Sequence, residues 1–271
     1  MKIHHLNCAT LCPPLAKQLI NPEGHMVCHC LLIEYDHGLV LVDTGFGLDD
    51  IRDPVGRLGL FSKVFTRPVF DPKEAAISQV EALGYKKEDV RHIVVTHLDL
   101  DHAGGIPDFP GAEIHIFAPE LAAATHPTTL KEKGRYRPAH FAHQPKWKIH
   151  QVEGDTWNGF ESVRVLEPSL PEVLLIPMTG HTRGHCAVGV KSGDDWLLHC
   201  GDAYFYRDEK RLPPNCPQAL KQFQKILAMD DVERKNNQSR IRMLAKEHPE
   251  ITIFCAHDPA ELSLQQTKKT S

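Results

Sequence analysis

The sequence predicts an α/β chain in which two sheets pack face to face with helices on the outside, and two observations carry that expectation. The first is element order: paired strands, a helix, single strands around a second helix, a run of short strands, two long helices and a last strand. That order fits a two-sheet layered architecture better than one doubly wound sheet. The second is the placement of polar residues, because Asp43, His97 to His102, His181, Asp202 and His257 each follow an apolar run that reads as a strand. Strand ends on one edge of a rigid scaffold bring imidazoles and carboxylates together, which is what a metal site requires. A length of 271 residues suits one large domain spanning 1–271.

The elements follow from local pattern. "HCLLIEY" and "GLVLVDTG" flank the turn residues Asp36, His37 and Gly38 and read as a hairpin. Residues Phe46 to Asp71 form a long excursion, after which "PKEAAISQVEALGY" opens on proline and reads as a helix. "RHIVVT" is a buried strand by length and composition, "AEIHIF" another, and "PELAAAT" a short helix. Thr125 to Trp147 has no clear period and is a second excursion. Connections of this length are usually functional. "WKIHQV", "ESVRVL", "VLLIPM", "CAVGVK" and "DWLLHCG" are short strands; "PQALKQFQKILAMD" and "DVERKNNQSRIRMLAKEH" are helices; "ITIFCAH" is the closing strand.

A net charge of -4 with 24% charged residues offers no basic excess for nucleic acid or an anionic membrane, so neither partner is expected. The N-terminus lacks the apolar region of a secretory signal, and no stretch of about 18 apolar residues could span a bilayer. Together with eight cysteines spread along a chain that needs no staples, this points to reduced thiols and a cytoplasmic location. Cys8, Cys12, Cys28 and Cys30 also admit a structural zinc reading, although their C-x3-C and C-x-C spacings match the usual knuckles poorly.

The centre of interest is "THLDLDH", Thr96 to His102. Alone, Asp99 and Asp101 could simply cap a helix. With "VDTG" at Val42 to Gly45, "TGHTRGH" at Thr179 to His185, "GDA" at Gly201 to Ala203 and "AHD" at Ala256 to Asp258, the chain resembles the metallo-β-lactamase superfamily over about His29 to Asp258. The resemblance implies a four-layer αββα sandwich and two divalent metal ions. His97, Asp99 and His181 would hold the first ion, Asp101, His102 and His257 the second, and Asp202 would bridge them. Asp43 would fix the tautomer of a ligand imidazole, and His185 would stand behind the ligands.

Asp99 departs from the superfamily's commonest pattern, which has histidine there. Two divalent ions give about +4, a bridging hydroxide about -1 and Asp101 with Asp202 about -2, so an ionised Asp99 would leave the site near neutral. Zinc is the leading expectation, and a hard oxygen ligand also admits iron or manganese. The alternative is that Asp99 turns away as a loop residue.

The resemblance further implies a metal-dependent hydrolase in which Asp101 and Asp202 help to activate hydroxide for attack on a small ester-like carbonyl, a lactone or thioester. Quorum-signal lactonases of the superfamily place a tyrosine three residues after the bridging aspartate; here that position is Phe205, between Tyr204 and Tyr206. Either a neighbouring phenol stands in for it or these aromatics line a pocket. Substrate contacts are also expected from the excursions, which carry Phe61, Phe65 and Phe70 in the first and Arg135 to Trp147 in the second, Arg137 and Trp147 foremost. Two other readings stand beside hydrolysis: an iron-dependent redox protein of the same fold, and a binding module with a degenerate site.

Overall fold

The computed structural model describes residues 1–59, 64 and 66–267. Phe61 and Phe65 lie outside the described residues. Strands β1 (Lys2–Leu11), β2 (Met26–Tyr35), β3 (Gly38–Val42), β4 (Pro68–Val69), β5 (Val90–Val94), β6 (Glu113–Phe117) and β7 (Lys146–His150) form one sheet in the order β4-β1-β2-β3-β5-β6-β7. After a small hairpin of β8 (Thr156–Trp157) and β9 (Phe160–Glu161), strands β10 (Val163–Arg164), β11 (Val173–Pro177), β12 (Cys186–Ser192), β13 (Asp195–His199) and β14 (Thr252–Phe254) form the second sheet in chain order.

The central strands read as unbroken apolar runs because both faces of each sheet are covered. On β2, Leu31 and Ile33 face the other sheet while Cys30 and Leu32 face outward helices; on β3, Val40 and Val42 point in while Leu39 and Leu41 point out. Val173, Leu175, Val188 and Val190 complete the inner layer from the second sheet. Outside the first sheet lie helices Ala76–Ala82 and Ala118–Thr125; outside the second, Ile241 and Leu244 of helix Asp231–Glu247 cover Ile176, Leu198 and Ile253. This is the expected αββα sandwich. The basic helix Asp231–Glu247 is a packing element, and its Arg240 guanidinium lies 4.1 Å from the centre of the Phe160 ring.

Two elements go beyond the sequence reading. β1 pairs with β2 over nearly its whole length, with an irregularity between Asn7 and Thr10 that lets the consecutive residues Cys8 and Ala9 both be buried. That break and its histidines hide the period-2 pattern. Among the described residues, β14 is followed by one more element, the helix Pro259–Thr267. Asp258 Oδ1 accepts from the backbone N of Ala260 at 2.9 Å, with proline at the first helical position and Glu261 beyond, a capping signal present in the sequence.

The excursions are largely packed. Buried Asp50 accepts from Arg57 Nε at 2.7 Å and pairs with His140 Nε2 at 3.1 Å, tying one excursion to the other. Thr129 caps helix Leu130–Arg135 together with Glu132, so the stretch without a visible period contains a helix too short to show one.

His92, His115 and His150 form a row across β5, β6 and β7. Burial, reinforced by the neighbouring imidazoles of His92 and then His150, lowers the pKa of His115 to about 3. Between that value and the ordinary 6.5 the unfolded chain binds a proton that the folded chain refuses, so stability present above pH 6.5 is lost as pH falls. His115→Gln should therefore flatten the decline, by up to about 1.4 kcal/mol per pH unit. Urea midpoints of metal-free protein at pH 6.5, 5.5 and 4.5 check this, and parallel declines in variant and wild type would refute it.

Candidate metal centre

The polar residues gather at one edge because the strands that precede them share a direction. β3 and β5 are parallel, as are β13 and β14, and β11 and β13 both run antiparallel to β12. Their carboxyl ends carry Asp43, His97 to His102, Asp202, His257 and His181. In open α/β sheets the crevice beyond these ends is the usual site.

His181 Nε2 lies 3.0 Å from Asp99 Oδ2 and 3.3 Å from Asp202 Oδ2, and His97 Nε2 lies 3.4 Å and 3.8 Å from the same two atoms. On the other side of Asp202, Oδ1 is 3.2 Å from His102 Nε2 and 3.1 Å from His257 Nε2. Asp101 Oδ2 stands 3.8 Å from His257 Nε2. The sequence-selected residues thus fall into two sets that share Asp202. The Nε2 atoms of His97 and His102 and Oδ1 of Asp202 are buried without any hydrogen-bond partner. Orphaned lone pairs aimed at common points are costly unless a cation satisfies them, so these residues fit the divalent ions that the fold implies.

The imidazoles are held from behind. His102 Nδ1 donates to Asp43 Oδ2 at 2.8 Å; Thr96 Oγ1 donates to the same oxygen at 2.7 Å and accepts from His97 Nδ1 at 2.9 Å. One carboxylate therefore sets both tautomers with Nε2 facing the site. Asp43 does so from a left-handed backbone, φ 54°, and Gly45 follows at φ 63°, where a Cβ would lie 2.1 Å from the Cys8 carbonyl oxygen. His257 Nδ1 donates to the Val27 carbonyl at 2.8 Å. His185 Nδ1 donates to the Met178 carbonyl, and its Nε2 accepts from the Asp202 backbone N at 2.9 Å, so His185 positions Asp202 without reaching the cluster. His181→Ala should remove metal and activity, while His185→Ala should retain most of its metal. Equal metal loss in both would refute this division of roles.

Charge follows geometry. Burial opposes ionisation of Asp202, yet His257, His102 and His181 outweigh it and hold its carboxyl well below the usual range. Burial likewise works against Asp99, and Arg135 with His97 overcomes it. Both carboxylates are thus in the anionic form that binds metal.

Asp99 takes the N-cap position of helix Leu100–Ala103 but makes no capping bond; it turns toward His181 and Arg135. Arg135 Nη1 is 2.5 Å from Asp99 Oδ2 and 3.0 Å from His181 Nε2, and its Nη2 donates to the Leu227 carbonyl. This corrects the charge count: the negative charge that Asp99 adds is matched by a buried guanidinium. Arg135 gave no sequence signal beyond lying in the second excursion.

Two other participants escaped the sequence reading. Glu120, fully buried, accepts from Leu98 N at 2.9 Å, Thr182 Oγ1 at 2.7 Å and Gly184 N at 3.0 Å, joining the "THLDLDH" loop to the "TGHTRGH" loop. A Cβ on Gly184 would stand 2.1 Å from Glu120 N, so that approach requires glycine. A lone carboxylate in the apolar "PELAAAT" helix was its only signal. Cys28 Sγ donates to Asp101 Oδ2 at 3.6 Å and lies with Asp101 and His257 in a group close enough to hold an ion. Among the described residues, Cys8, Cys12 and Cys30 join no such group, and all eight cysteines are free thiols.

The aromatic expectations divide. The Phe205 ring lies 4.7 Å from that of His257 and 5.9 Å from that of His181, so it borders the cluster. Tyr204 turns away and donates its hydroxyl to Glu261 at 3.2 Å; Tyr206 is partly buried beneath the Arg207 guanidinium, 5.0 Å from its ring centre. Arg137 donates to the carbonyls of Leu58 and Gly134, and Trp147 packs with Phe141 against the outer face of the first sheet. The structure brings neither to the cluster, because each is spent on holding the second excursion in place.

A layered α/β scaffold presenting two sets of imidazole and carboxylate ligands at one sheet edge defines a metal-centred protein. The chain belongs to the metallo-beta-lactamase superfamily, whose model matches residues 24–257. It is 46% identical over 261 residues to a probable metallo-hydrolase of Mycobacterium tuberculosis, covering 96% of this chain and 81% of that protein. It is 27% identical over 233 residues to the N-acyl homoserine lactonase AttM of Rhizobium radiobacter, covering 84% and 80%. Among solved structures, an N-acyl homoserine lactone hydrolase with N-hexanoyl-L-homoserine bound at its metal centre superposes with a TM-score of 0.71 at 18% identity, covering 97% of this chain and 95% of that one, a likeness of fold. Family and relatives together support a metal-dependent hydrolase. Among the described residues no helix is long and apolar enough to cross a membrane.

Proposed function

We propose that the chain hydrolyses a small ester-like carbonyl substrate at a dinuclear centre, with His97, Asp99 and His181 on one divalent ion, Asp101, His102 and His257 on the other and Asp202 shared. The observation that carries this reading is the Asp202 carboxylate, whose Oδ2 lies nearest His181 and His97 and whose Oδ1 lies nearest His102, with His257 Nε2 3.1 Å from Oδ1 and 3.2 Å from Oδ2. Zinc suits the nitrogen-rich sets, and Asp99 leaves iron or manganese competent in the first. The ions would supply an activated water and a Lewis acid for the carbonyl oxygen. The chain's own residues bind and orient: Asp43 keeps the His97 and His102 lone pairs on the site, His185 fixes Asp202, and Phe205 provides an apolar wall.

Within this class the Phe205 ring favours a thioester over a lactone. It can donate no proton, and of the two adjacent phenols Tyr204 is engaged by Glu261 while Tyr206 packs beneath the Arg207 guanidinium. An alkoxide leaving group needs protonation, whereas a thiol with an ordinary pKa of about 8.5 leaves readily as the anion. A screen of metal-loaded protein against thioesters, lactones, phosphodiesters and β-lactams tests the proposal. Chelator-sensitive turnover of thioesters ahead of lactones is expected; turnover confined to phosphodiesters or β-lactams, or turnover that survives metal removal, would overturn it. Metal analysis of protein purified without added metal separates the two competing readings: iron with redox activity and no hydrolysis would mark a redox protein, and fewer than one ion per chain a binding module.

A further inference from the structure

The histidine row of the first sheet lies outside the cluster just described. His92 stands opposite Glu113 in the β5–β6 register, Val94 opposite His115, and Phe117 opposite His150, so all four polar residues lie on the face that Val94 and Phe117 turn toward the second sheet. His92 precedes His97 by five positions in sequence, which is about 16 Å of extended chain.

We propose that His92, Glu113 and His115 form a separate site for one zinc-like divalent ion at the rim of the sandwich. Ligand atoms of the three residues all lie within 4.8 Å of one another. His92 Nδ1 is 3.1 Å from His115 Nε2 and 3.6 Å from Glu113 Oε2. Zinc bonds of 2.0–2.1 Å in tetrahedral array put ligand atoms about 3.3 Å apart, so these separations bracket a chelating geometry, with water left for the fourth position. The supporting contacts match as well. His115 Nδ1 is 3.0 Å from His150 Nε2, and a proton donated there leaves the Nε2 lone pair of His115 facing His92. Lys148 Nζ holds Glu113 Oε1 at 3.1 Å, turning Oε2 inward. Burial keeps His115 neutral at ordinary pH, so its lone pair is available without loss of a proton. On binding, His92 carries its proton on Nε2. Two nitrogens and one carboxylate oxygen suit zinc, nickel or copper better than magnesium or calcium.

The test counts zinc per chain by mass spectrometry after equilibration at buffered micromolar free zinc, in wild type, His92→Ala and Glu113→Gln. Wild type should hold one more ion than either variant, and both variants should keep wild-type hydrolase activity. Equal counts in all three would overturn the site. Loss in His92→Ala alone would overturn the three-ligand arrangement, and the partly exposed Glu113→Gln exchange is too mild to prevent folding. Because the readout is a difference between variants, it holds whatever the catalytic centre binds or hydrolyses.

Discussion

Asp202→Ala should reduce kcat/KM at least about a thousandfold, on the order of 4 kcal/mol of transition-state stabilisation, and lower bound metal by at least one ion per chain relative to wild type. Its carboxylate is 3.1–3.3 Å from three imidazoles on opposite sides, so truncation removes a donor from both sets at once. Two cations that share an anion also lose the charge that screens them from each other. Burial sharpens the effect, since neither water nor a neighbouring side chain can take the place of a group only 3% exposed. Metal content by mass spectrometry and steady-state kinetics with the substrate found in the screen give the measurement; a metal count equal to wild type and most of the rate would sink the assignment of Asp202 as the shared ligand.

Asp99→His should leave the fold destabilised by about 3–5 kcal/mol, because Arg135 then keeps a buried positive charge with no carboxylate beside it. At roughly 2–4 °C per kcal/mol for a chain of this size, the melting temperature of the metal-free protein falls on the order of 10 °C. Adding Arg135→Met should restore most of it, since removing both charges of a buried pair is far less costly than removing one. The same pair should govern metal choice and acidity. With Asp99 and Arg135 offsetting each other, the wild-type site and the double variant carry the same net charge, while Asp99→His alone is more positive by about one unit. The acidic limb of kcat/KM, which reports ionisation in the free enzyme, should therefore move to lower pH in the single variant and return in the double variant. Zinc preference should rise in both, because imidazole replaces a hard oxygen. If Asp99→His melts like wild type and the limb stays in place, the Asp99–Arg135 pair does not act on the centre.

How far the sequence carried this reading depends on how local each determinant is. The hairpin of β2 and β3, the buried strand β5 and the long helices were legible because apolar runs and turn residues act within a few positions of each other. The cluster was legible for a related reason: each polar residue follows its own strand, so the pattern survives without knowledge of which strands pair. β1 was not legible, since its burial depends on an irregular register with β2. The helix Pro259–Thr267 was missed despite its capping residues because it falls directly after a strand.

By itself the sequence determined the layered α/β class and the polar residues at the strand ends, since both rest on residue type and periodicity. Only the tertiary structure decided what surrounds those residues. Arg135 reaches Asp99 from 36 positions away and Glu120 reaches Gly184 from 64, contacts that loop closure creates and no local pattern encodes. It also decided that Tyr204 points at Glu261 while Phe205 faces His257, because on neighbouring residues a difference of one position turns a side chain to another surface. Charge balance and pocket chemistry are sums over such distant contacts, and the packed chain alone fixes them.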